Sequence, residues 1–65
     1  MNIRPNLAYG HMGYPKGTYL ETHKVYKAVR ATNQPDWKKQ GLVFVDCPNG
    51  APELLLRKGE YTIVR

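Results

Sequence analysis

The sequence predicts an all-β fold: a small barrel or roll of four to five short antiparallel strands behind a flexible N-terminal tail. Three observations carry this expectation. Short runs rich in Val, Ile, Leu, Thr and Tyr recur between turns that contain Gly or Pro, as strands do. No segment carries an apolar stripe at helical spacing. Residues 1–17, MNIRPNLAYGHMGYPKG, place Pro5, Gly10, Gly13, Pro15 and Gly17 too close together for a helix or a long strand. Those residues read as a loosely docked tail, and residues 18–65 as the folded domain.

TYLETHKVYKAVRAT, residues 18–32, is rich in Thr, Tyr and Val and reads as the first strand. Its alternation is imperfect, because Lys27 shares a parity with Val25 and Val29, and Lys24 and Arg30 share the other with Tyr26 and Ala28. A bulge or a wet edge face accounts for that. The competing reading is a helix over residues 20–29, but Leu20, His23, Lys24 and Lys27 make no apolar stripe. NQPDW, with Pro35 and Asp36, is a turn signal inside a long irregular loop. GLVFVDC, bounded by Gly41 and Pro48, is the clearest strand. Asn49-Gly50 tolerates positive φ and marks a reverse turn. PELLLRK reads as a strand covered on both faces, KGEY as a tight turn on Gly59, and YTIVR as the last strand.

A meander this small cannot bury its faces as an open flat sheet, so it curls. At the level of strand pattern, residues 18–65 resemble an SH3-like barrel. No motif accompanies the resemblance, and such barrels host many unrelated functions.

Composition narrows the function classes. At 65 residues, with 42% hydrophobic and 23% charged, the chain folds as one domain with a small core. A deep catalytic pocket with its supporting residues is hard to build at that size, which is that of small accessory proteins of phages and bacteria. The phosphate-loop, dinucleotide, nucleophile-elbow and zinc-protease signatures are all missing. The expectation is therefore a non-catalytic protein with no small-molecule substrate. His11, His23 and Cys47 lack the close pair of a metal site, and no cofactor is expected. Asp36, Asp46, Glu53 and Glu60 sit at or beside turns, as capping groups do. A single Cys excludes an internal disulfide and fits a reducing compartment. No apolar run reaches the roughly 18 residues of a membrane span, and no signal peptide is visible. A cytoplasmic protein without membrane association is the reading.

The formal net charge is +5. Residues 1–31 hold Arg4, Lys16, Lys24, Lys27 and Arg30 against Glu21 alone, whereas residues 32–65 hold five basic residues against four acidic ones. An excess of this kind attracts polyanions. The sole Trp, Trp37, lies between Pro35-Asp36 and Lys38-Lys39. It reads either as a lid over an open barrel end or as an exposed stacking residue. Trp37, Lys38, Lys39, Lys27 and Arg30, with Tyr26 and Tyr19 as stacking platforms, form the candidate contact set. Basic residues interleaved with aromatics are what single-strand nucleic-acid binders use. The alternative is a protein-interaction or assembly module, including a homodimer, built on an edge strand and on an arm containing Tyr9 and Tyr14.

Overall fold

Alternation makes the first strand. In the computed structural model, which describes residues 1–65, β1 (Asn2–Pro5) turns Ile3 and Pro5 inward and leaves Asn2 and Arg4 in solvent. The other strands are β2 (Tyr26–Arg30), β3 (Val43–Val45), β4 (Leu54–Leu56) and β5 (Tyr61–Val64). A single helical turn, α1 (Trp37–Gln40), interrupts the β2–β3 connection. The strands form one antiparallel sheet in the order β4-β3-β2-β1-β5. Because β5 returns to pair with β1, the sheet curls into a half-barrel of five strands.

Residues 2–5, expected within the N-terminal tail, form a strand. They occupy the sheet between β2 and β5, with Asn2 opposite both Lys27 and Val64 and Ile3 opposite both Tyr26 and Ile63. Met1 extends the ladder: its amino group donates to the Ala28 carbonyl (2.9 Å) and its carbonyl accepts from the Ala28 N–H (2.7 Å). Pro5 is tolerated in this interior strand because the β1–β2 register ends at Ile3–Tyr26, so no β2 partner awaits its missing N–H. Residues 18–65 alone would lack the strand that joins β2 to β5.

The long β1–β2 connection is tied down rather than free-standing. Tyr9 and Leu20 form an isolated antiparallel bridge, with the Leu20 N–H donating to the Tyr9 carbonyl (2.8 Å). His11 Nε2 lies 2.9 Å from the Pro52 carbonyl, and Asn49 Nδ2 donates to the Gly17 carbonyl (2.8 Å). The expected first strand is confined to Tyr26–Arg30. Residues 16–18 form a 3-10 turn instead, with the buried Thr18 hydroxyl donating to the Pro15 carbonyl (2.7 Å).

Ile3, Leu20, Ala28, Val43, Val45, Cys47 and Leu56 make the core, with Tyr9, Tyr26, Ala51, Leu54 and Tyr61 packed around it. Its seven members come from four strands and two loops. Leu54-Leu55-Leu56 is not covered on both faces as expected: β4 is an edge strand, Leu56 is buried, and Leu55 is 42% exposed. Leu55 ends a cross-strand row with Phe44 and Val29 on the outer face of the sheet. The turn signals at Asn49-Gly50 and Gly59 coincide with positive φ at all three residues.

Candidate nucleic-acid interface around Trp37

The β2–β3 connection leaves the sheet after Arg30 and returns at Val43. Asp36 takes a left-handed conformation (φ 56°) and starts α1, and Gly41 (φ 64°) ends it. Glycine is the residue that adopts this conformation at low cost. The Gly41 and Leu42 N–H groups both donate to the Trp37 carbonyl, closing the turn. The Lys58 N–H donates to the Gln40 carbonyl (2.9 Å), and the Tyr61 hydroxyl donates to the Gly41 carbonyl (2.6 Å). The helical turn is thereby fastened against the start of β5.

This arrangement encloses a depression of about 140 Å³. Its floor is the buried pair Leu42 and Val43. Trp37 and Tyr61, both half-buried, form walls with the partly exposed Met1 and Ile63. Gly41 and the exposed Arg30 and Lys38 complete the lining. None of the carboxylates borders it. Glu21 pairs with Lys24 (2.7 Å), and its carboxylate lies 3.9 Å from His23 Nε2; Arg30, Lys38 and Lys39 keep their charges unpaired. The hydrogen bond from Lys24 holds the Glu21 carboxyl below its usual range and the Lys24 ammonium above its own.

The candidate set divides. Arg30, Trp37 and Lys38 meet at the depression, and Lys39 is exposed on the same helical turn. Lys27 lies on the opposite face of β2, since Tyr26, Ala28 and Arg30 share the parity that buries Ala28. Tyr26 packs against the core and its hydroxyl accepts from the Glu21 N–H (2.8 Å). Tyr19 is half-buried in the β1–β2 connection, its ring so close over Gly10 that a Cβ there would stand 2.3 Å from Cδ1. It borders a separate open hollow of about 560 Å³ with Lys16, Leu20 and Glu21. Trp37 is not among the side chains against the central core.

Sequence reasoning missed Tyr61, Ile63 and Met1, because strand pairing brings them to Trp37 from both chain ends. A local signal did exist for Gly41. A glycine directly after a short run of helix formers marks a helix C-terminus, although here it reads equally as the start of a strand. The expected irregular loop is to that extent corrected: it contains one helical turn at Trp37–Gln40.

Cys47 is buried among core side chains, and burial, aided by the nearby Asp46 charge, raises its thiol pKa. The cysteine acts there as a small apolar group. No cluster of three His, Cys, Asp or Glu side chains is arranged to hold a metal ion, and no helix is long and apolar enough to cross a membrane. Comparison with known protein families, curated proteins and solved structures finds no match.

Proposed function

We propose that this chain is a small non-catalytic binding module that contacts nucleic acid through the surface around Trp37. The observation that carries the proposal is the meeting of Arg30, Trp37 and Lys38 at one depression that no carboxylate borders. Unpaired cations there neutralise phosphates, and displaced counterions drive association. An adjacent aromatic offers stacking on a base. Lys39 extends the basic rim, whereas Lys27 and Tyr26 fall outside the surface. A cytoplasmic location suits such a partner.

The SH3-like reading of the fold is supported by the β4-β3-β2-β1-β5 order, with the last strand returning to the first, and by the long β1–β2 connection. A second reading, a protein-interaction or assembly module, draws support from β4 and β5, which each pair on one side only. Its N-terminal arm is narrowed to the residues beyond β1.

The test is the Lys38→Glu, Lys39→Glu double variant, titrated with a labelled single-stranded oligonucleotide by fluorescence anisotropy at low and moderate salt. The native chain should bind with an affinity that falls steeply with salt, and the variant should lose binding. Unchanged affinity in the folded variant would sink the proposal. Binding of a protein partner that persists at moderate salt, with no oligonucleotide binding, would favour the second reading.

A further inference from the structure

The depression itself has a shape that distinguishes one form of nucleic acid from another. Resting on the reading just proposed, we infer that it receives one unpaired base of a single strand, held between Trp37 and Tyr61, while Arg30 and Lys38 hold the flanking phosphates.

Size argues for this. Pockets for drug-sized ligands run to about 300–1,000 Å³, and 140 Å³ is well below that. It equals the liquid share of about five waters, which suits one planar group inserted from an edge. The lining also fits a base. Two aromatic residues and the aliphatic Met1 and Ile63 stand over an apolar floor of Leu42 and Val43. Ile63 is 47% exposed and Met1 38%, so apolar surface remains there for a partner to cover. A base in a duplex is already stacked on both faces and cannot enter.

The polar groups point to stacking as the means of recognition. The Gly41 and Leu42 N–H groups are spent on the Trp37 carbonyl, the Gly41 carbonyl accepts from the Tyr61 hydroxyl, and the Leu42 carbonyl accepts from the Ala31 N–H (3.0 Å). The Gly41 and Leu42 backbone groups are therefore spent inside the fold, and Val43 lies in the ladder between Arg30 and Leu56. Stacking tolerates any base because each has a π-face. The charges lie at the exposed side chains of Arg30 and Lys38, where phosphates flanking an inserted base would pass. The walls are also held in place: Tyr61 is pinned through its hydroxyl to Gly41, and α1 through Gln40 to Lys58.

The experiment compares three probes of equal length with the native chain: a thymidine octamer, the same octamer with abasic sugars throughout, and an eight-base-pair duplex. Affinity is read by anisotropy of a terminal label, and contact by Trp37 emission. The thymidine octamer should bind about tenfold or more tightly than the abasic one and should alone quench Trp37. The duplex should bind more weakly than the thymidine octamer. Equal affinity for the thymidine and abasic octamers would overturn the base site while leaving the phosphate-binding surface standing. A duplex bound as tightly as the single strand would overturn it too. No salt-sensitive binding of any probe would remove both readings together. Trp37→Leu, with its fold verified by circular dichroism, should reduce thymidine affinity to the abasic level without changing abasic affinity. Thymidine affinity retained in that variant would contradict the site.

Discussion

Ile3→Ala puts the strongest demand on the fold. Ile3 has no exposed surface and sits in the strand between β2 and β5, opposite Tyr26 on one side and Ile63 on the other. The substitution removes three carbons from the core. At about 0.8 kcal/mol for each buried methylene the transfer loss is roughly 2.4 kcal/mol. The cavity left behind adds to this, which places the change within the roughly 2–5 kcal/mol typical of Ile→Ala in a core. About 3 kcal/mol is the expected value. A domain of this length has a total stability of roughly 3–10 kcal/mol, so the variant loses a large share of it. Each kcal/mol is worth about 4–8 °C in Tm for a domain of this size, giving a drop of roughly 12–24 °C. Urea unfolding, followed by Trp37 emission and far-ultraviolet circular dichroism, measures the loss. Leu7→Ala is the internal control: Leu7 is 64% exposed two residues beyond β1, and its loss should stay within about 0.5 kcal/mol. A loss below about 1 kcal/mol at Ile3, or equal losses at the two positions, would refute the placement of β1 in the sheet.

Gly41→Ala should destabilise by roughly 1–2 kcal/mol for the left-handed conformation alone, and by more because the new Cβ would lie 3.0 Å from Lys58 Cβ and 3.3 Å from the Tyr61 hydroxyl; Gly17→Ala, at ordinary φ with its nearest neighbour at 3.5 Å, should be close to neutral in the same urea assay. Cys47 holds its proton more tightly folded than unfolded, so its contribution to stability is complete below the ordinary thiol range and is lost as pH rises through the raised folded value. Stability measured through the alkaline range should therefore decline less in Cys47→Ala, and the native thiol should react with a disulfide reagent more slowly than in the unfolded chain; equal rates would contradict its burial. Leu55→Lys on the exposed face of β4 should change stability by less than about 0.5 kcal/mol and, by charging an edge, lower any self-association seen by analytical ultracentrifugation.

Much of the sheet was legible because its signals are local. Val43, Phe44 and Val45 lie in a short apolar run between Gly41 and Pro48, and Gly59 separates β4 from β5, so turn chemistry locates three of the strands. Strand β1 was hidden for two reasons. Four residues are too few to show a period against the breakers that follow, and Pro5 argues against an interior strand unless it is known that the β2 ladder has already ended. The helical turn at Trp37 was hidden because one turn has no periodicity of its own. Its limits are set by backbone conformation at Asp36 and Gly41, which composition does not specify. For the candidate site, neighbours in sequence were found and neighbours in space were not. Lys38 follows Trp37 on α1 and Arg30 ends the strand before the loop, whereas Tyr61 and Ile63 reach Trp37 only through the pairing of β5 with β1. Lys27 and Arg30 look equivalent in the sequence, and the pleat of β2 sends them to opposite faces.

Trp37 is the one tryptophan of the chain, so its emission reports on its role as a contact residue without interference. The free protein should show an emission maximum between the exposed and fully buried extremes, quenching on addition of a short single-stranded DNA at low salt, and recovery at moderate salt. A spectrum that DNA leaves unchanged at low salt, with the protein folded by circular dichroism, would make Trp37 a packing residue only and contradict that role.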